Sequence, residues 1–186
     1  MSNQRFPTLT QEQMNPAQKQ MADAIAAGPR GSVRGPFNVL LRSPDLGDRV
    51  QRVGEYVRFK SSLSQRLNEL GIILVARKWT AQYEWYAHRA LAVKAGLAEA
   101  ICDAIAEGKR PANMAADETV VYNFANELLE TTQVSDANFN AMTAMFGEQG
   151  AVDLIGALGY YTVVSMVLNV GQVALPPDAV PLKPLR

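Results

Sequence analysis

The 186 residues are 48% hydrophobic, 19% charged and 8% aromatic, which supports one filled core and argues against disorder. Eighteen Lys and Arg residues balance 18 Asp and Glu residues, so no global field favours nucleic acid or an anionic membrane. The single cysteine, Cys102, excludes an intrachain disulfide, a CxxC redox centre and a thiolate-rich metal site.

Residues 1–13 are polar and show neither an apolar segment nor a cleavage pattern, so a cytoplasmic location is the expectation. Asn15-Pro16 is a cap followed by a first-turn proline and predicts a helix through Met21, Ala24 and Ile25 to Gly28. Residues 29–36 read as a loop. Ser43-Pro44 repeats the signature, with Leu46, Val50, Val53 and Val57 on one stripe that ends near Phe59. A third helix runs from Ser64 through Leu67, Leu70, Ile73 and Leu74 to Trp79, and Thr80 is the expected cap of a fourth that reaches Gly96. Residues 97–107 stop at Gly108. Asp117 can cap a helix to Thr131, and Ser135 can cap another that ends at Gly147.

An apolar helix over residues 151–170 closes the pattern. It has the length of a membrane span but contains Asp153, Asn169, two tyrosines and two glycines, and it has no basic flanks. It reads as a buried or interface helix, so no membrane partner is expected. Its surplus apolar surface, with Gly156 and Gly159, predicts a homo-oligomer. Four prolines from Leu175 onward predict an extended arm. The pattern as a whole is all-α and describes a single-domain helical bundle. Residues 1–36 form an N-terminal helix and loop, residues 37–174 the helical domain and residues 175–186 the proline-rich arm.

The segment from Trp79 to His88 concentrates four aromatics and the only histidine. At helical spacing Glu84 and His88 meet across one turn, and an adjacent carboxylate raises a histidine pKa toward proton-transfer duty. An ordinary surface pair has the same spacing. Glu69 lies at the margin of the preceding helix's apolar stripe, from which a second carboxylate can approach His88. Tyr83 and Trp85 are candidate pocket-lining residues, with packing the alternative. Arg34, Arg66, Arg77 and Arg89 are candidate clamps for an acidic substrate, and Arg89 points roughly 100° away from His88. One histidine and scattered carboxylates give little basis for a metal centre, and no cofactor is expected.

The run from Glu69 to Ala76 (ELGIILVA), followed by Glu84, His88, Ala92 and Gly96, resembles the carboxymuconolactone decarboxylase family, whose all-α fold is shared with alkylhydroperoxidase D. The resemblance spans roughly positions 40–108. In the peroxidase branch a CxxC pair precedes the histidine. Counted back from His88, those thiols would fall at Ala81 and Glu84, while the family's glutamate falls at Glu69. Dithiol peroxidase chemistry is therefore not expected, and Cys102, beside Ile101 and Ile105, reads as a small buried hydrophobe.

The resemblance implies trimers or hexamers and cofactor-free decarboxylation of a small unsaturated lactone or keto acid. His88, Glu84 and Glu69 would be catalytic, and Tyr83, Trp85 and Arg77 would bind substrate. Two alternatives remain open: an antioxidant protein that has lost its dithiol, and a non-catalytic helical assembly protein. An exposed Glu84 and a solvated His88 would favour the last.

Overall fold

The computed structural model describes residues 4–185. Among them are a 3-10 turn at Gln11–Gln13 and eight helices, with no strand: α1 Pro16–Ala27, α2 Pro36–Leu40, α3 Pro44–Phe59, α4 Gln65–Lys78, α5 Gln82–Lys94, α6 Glu99–Ala106, α7 Ala116–Thr131 and α8 Asp136–Gly171. The all-α expectation holds. At α1, Asn15 Oδ1 accepts from the Gln18 backbone N–H while Gln18 Oε1 accepts from that of Asn15, both at 2.9 Å, a reciprocal cap that satisfies two orphan donors.

Two cap expectations are corrected, one short helix is added and one helix boundary moves. Thr80 does not cap α5: it sits in the left-handed region at φ 46°, its hydroxyl bonds Arg77, and Ala81 takes the cap position. Asp117 lies inside the first turn of α7, which starts after Ala115. The five-residue α2 is too short to leave a periodic signature. Gly147, at φ 69° and ψ 174°, breaks the helix as expected, but the chain resumes helix at once, so α8 runs through the break.

The core forms around α4. Every residue from Leu67 to Arg77 is buried, because α5, α6, α7 and α8 all pack against it. A helix enclosed in this way has no outer face, so polar residues on it need partners inside the protein. α8 supplies the opposing wall through Leu154, Ala157, Leu158, Tyr161, Val164 and Leu168. A smaller cluster of Met21, Ile25, Phe37, Leu40 and Leu41 joins α1 and α2 to this body. Gly47 permits that contact: a Cβ there would lie 2.4 Å from Met21 Cε and 2.9 Å from the Leu40 carbonyl. The N-terminal helix thus packs onto the bundle.

α8 is long and apolar enough to cross a membrane, yet 56% of its most apolar window is buried inside the fold. Its outer side leaves Val152, Ile155, Gly159, Val163, Met166 and Val170 exposed, three or four residues apart. Asp153 faces the other way. Its carboxylate accepts from the Ser62 N–H and hydroxyl, each at 2.7 Å, and from the Tyr56 hydroxyl at 3.1 Å, which pins the α3–α4 turn to α8. Burial alone would raise the Asp153 pKa, and these hydrogen bonds outweigh it and hold the carboxyl below its usual range.

The C-terminal arm is extended, and it is anchored. Leu182 is buried, its backbone exchanges two 2.8 Å hydrogen bonds with the Gln82 amide, and the Lys183 carbonyl accepts from Arg77 at 2.7 Å.

Removing the Asp153 carboxylate leaves a partly buried backbone donor and two hydroxyls without their acceptor. Asp153→Ala is expected to lower the unfolding free energy by about 1–3 kcal/mol, read by urea denaturation at neutral pH. An unchanged midpoint would show that this tie adds nothing to stability.

Candidate active site

Two helices bring three ionisable groups together. Glu69 lies in the second turn of α4, Glu84 in the first turn of α5, and His88 one turn after Glu84. Because α4 is enclosed, Glu69 has no route to solvent, and its neighbours across the α4–α5 contact must satisfy it. His88 Nδ1 lies 2.6 Å from Glu69 Oε2, while Gln65 Nε2 donates to the other oxygen at 3.1 Å. On the far side of the ring, His88 Nε2 is 2.9 Å from Glu84 Oε1. That second contact is an ion pair without the alignment of a hydrogen bond, so Oε1 keeps a free acceptor site in the interior.

Burial opposes charge on His88 and by itself would push its pKa down. The negative charge of Glu84 and the hydrogen bond to Glu69 outweigh burial and raise the pKa from 6.5 to about 9. The imidazole is therefore protonated at neutral pH and carries two N–H donors: Nδ1–H is committed to Glu69, and Nε2–H lies beside Glu84 Oε1, where both residues line a cavity. Tyr161 meets the ring edge-on, with centroids 4.8 Å apart at 74°, and fixes its plane. Burial raises the Tyr161 phenol well above its ordinary value.

Glu84 and His88 form part of the floor of a cavity of about 330 Å³, walled by Tyr83, Tyr160, Tyr161, Phe37 and Phe59 and rimmed by Arg30, Arg34 and Arg58. The 29–36 loop folds over α5 to close one side. Gly35 makes that possible, since at φ +55° a Cβ would stand 2.8 Å from Tyr83 Cε1.

Of the residues singled out from sequence, His88, Glu84, Glu69 and Tyr83 come together here, and Arg34 reaches the rim. Trp85 and Arg77 do not. Trp85 packs in the main core and faces a groove beside the C-terminal arm. Arg77 is buried and donates to the Ala106 carbonyl at 3.1 Å, the Lys183 carbonyl at 2.7 Å and Thr80 Oγ1 at 2.7 Å, so it ties α4, α6 and the arm. Arg66 is held by Asp117 and Glu118, and Arg89 by Asp103 and Glu99. Sequence reasoning missed Arg30, Arg58, Tyr160 and Tyr161. Arg30 had a legible signal in the same loop as Arg34, whereas the tyrosines come from a helix distant in sequence.

Cys102 is fully buried on α6, and burial pushes its thiol up to about 11, the reverse of a reactive cysteine. Among the described residues no group of histidine, cysteine and carboxylate side chains is arranged to hold a metal ion.

No protein-family model matches the sequence, and no curated protein matches it. The fold nevertheless has a precedent: this is the AhpD-like all-helical fold. A solved structure that shows it is the alkylhydroperoxidase AhpD core of an uncharacterized peroxidase-related protein from Ralstonia eutropha JMP134. The two superpose with a TM-score of 0.75 over 94% of this chain and 93% of that one, at 15% sequence identity.

The raised pKa has a definite consequence for stability. A protonated His88 stabilises the fold fully below the unfolded value of 6.5, and that contribution is lost as pH rises through about 9. Urea unfolding is expected to show stability falling by on the order of 3 kcal/mol between these limits, with His88→Gln removing most of the slope. NMR of the lone imidazole should find its pKa lowered by Glu84→Gln and by Glu69→Gln. A wild-type value near 6.5, unmoved by either change, would overturn the coupling.

Proposed function

We propose that the chain is a cofactor-free acid/base enzyme that decarboxylates a small unsaturated lactone acid or keto acid. The observation that carries this reading is a buried imidazolium, held between Glu69 and Glu84, in the lining of a cavity. In the reaction the C–CO2 bond breaks and its electron pair enters the conjugated system, ending on the carbonyl oxygen as carbon dioxide leaves. His88 Nε2–H faces that developing charge and then delivers its proton to carbon, and a solvent proton restores the imidazolium. Glu69 holds the ring through Nδ1. Glu84 keeps the ring charged between turnovers, and its free Oε1 is a proton acceptor beside Nε2.

The low dielectric of the cavity strengthens each of these interactions relative to water. A thiol peroxidase reading has no support here, because Ala81 and Glu84 occupy the helix positions that would carry thiols and Cys102 is buried on another helix. A purely structural role is disfavoured, since it would leave a buried charged triad and an open cavity without a use. For a substrate that loses carbon dioxide, His88→Gln is expected to lower kcat by about a hundredfold or more, measured as carbon dioxide release. Glu69→Gln should lower kcat with little change in KM. Unchanged turnover in His88→Gln would end the scheme.

The reading extends to assembly. The exposed stripe from Val152 to Val170 on α8, flanked by the open surface of Gly159, suits a second copy of this chain. Sedimentation is expected to find a species larger than the 20.3 kDa monomer, and a monomer at micromolar concentration would refute it.

A further inference from the structure

The cavity holds more positive charge than the triad can use. Arg30, Arg34 and Arg58 line it together with His88, and against these four positive groups stand only Glu84 and, behind the ring, Glu69. The site has a formal charge of +2. Arginines elsewhere in the protein are matched: Arg52 by Asp48, Arg66 by Asp117 and Glu118, and Arg89 by Asp103 and Glu99. None of the three around His88 is in an ion pair among the described residues. Arg30 and Arg58 go further, since each has a buried Nε without a hydrogen-bond partner. A buried guanidinium donor left unpaired is costly unless a ligand completes it.

Their placement is specific. The Arg30 guanidinium lies over the Phe37 ring at 4.7 Å and the Phe59 ring at 6.0 Å, while that of Arg58 lies 5.3 Å from the centre of the Phe59 ring. Contacts of this kind occupy guanidinium faces; Arg30 Nη2 donates a long hydrogen bond to the Tyr160 hydroxyl at 3.5 Å, and the unpartnered Nε groups of Arg30 and Arg58 remain on the N–H edges that suit planar recognition of an anion. The neighbouring backbone makes room for this arrangement. A Cβ at Gly54 would lie 2.1 Å from the Tyr160 hydroxyl and 2.6 Å from Arg30 Nη2, so only glycine seats both groups there.

We propose that Arg30, Arg34 and Arg58 form a binding site for a dianion, either a pair of carboxylates or a phosphate monoester, that lies against Phe37 and Phe59 and is oriented toward His88. Two negative charges match the excess of the cavity, and guanidinium forks suit either chemistry. The proposal rests on reading this cavity as the substrate site, and it does not depend on decarboxylation. It identifies Arg30 and Arg58 as specificity-determining residues: they select the charge of the ligand, and His88 acts on whatever they hold.

The only histidine of the chain is a built-in reporter. The full-length protein is titrated with maleate, inorganic phosphate and, as a monoanion, crotonate, while the His88 imidazole resonances are followed by NMR. Maleate or phosphate is expected to shift them saturably, with crotonate binding weaker by about tenfold or more. Tighter binding of maleate identifies the dicarboxylate chemistry, and tighter binding of phosphate identifies the ester. Arg30→Gln and Arg58→Gln should each weaken the dianion by about tenfold, Arg58→Lys should restore part of the loss, and Arg49→Gln, exposed elsewhere on α3, should change nothing. Unaltered helicity by circular dichroism confirms that each variant folds.

Absence of a saturable shift with either dianion overturns the proposal. So does crotonate binding as tightly, or affinity unchanged in both arginine variants. Arginine-dependent dianion binding without carbon dioxide release from any lactone or keto acid would instead overturn the decarboxylase reading and leave this site standing.

Discussion

A positive imidazole clasped by two carboxylates away from water is the constraint on which the site depends. Charge in a dry interior is tolerated only when it is paired and hydrogen-bonded, so Glu69, His88 and Glu84 hold one another in place. Glu69 belongs to the most enclosed helix of the protein and cannot turn outward. The α4–α5 packing and the charge state of His88 therefore support each other: separating the helices would strand a carboxylate, and neutralising the ring would remove its reason to remain between two acids. The groups that secure local order here are the same groups that set the charge of the imidazole.

The surrounding elements add what the triad lacks. α8 brings Tyr160 and Tyr161 from far along the sequence to close the cavity and fix the ring plane. The 29–36 loop and the end of α3 supply cations, which turn a net-negative triad into a net-positive cavity. Away from the cavity, Arg77 at the end of α4 and Gln82 at the start of α5 fasten the C-terminal arm. A fold leaves to its sequence the groups that a pair of packed helices such as α4 and α5 carries. Here the pair carries carboxylates and an imidazolium.

Much of this was legible in the chain. Cap-plus-proline pairs at Asn15-Pro16 and Ser43-Pro44 mark helix starts because a missing N–H costs nothing there, and both helices begin where expected. Glu84 and His88 follow from helical geometry, which needs only their spacing. Glu69 was harder. Periodicity placed it at the margin of a stripe, whereas the structure surrounds the whole helix, so no stripe exists. Arg77 and Trp85 were misjudged for the same reason: nearness to a motif along the chain does not say which face of the helix meets the cavity and which meets the arm.

By itself the sequence determined the helical class, most helix boundaries, the absence of a usable thiol pair and the Glu84–His88 turn. Each of these depends on residue identity and on contacts within a few positions, where backbone geometry leaves little choice. Only the tertiary structure decided that Glu69 closes the triad, that burial and two acids together set the charge of His88, and that Arg30, Arg34 and Arg58 converge above it. Those are properties of burial and of distance in space, and they arise where segments far apart in the chain exclude water from one another.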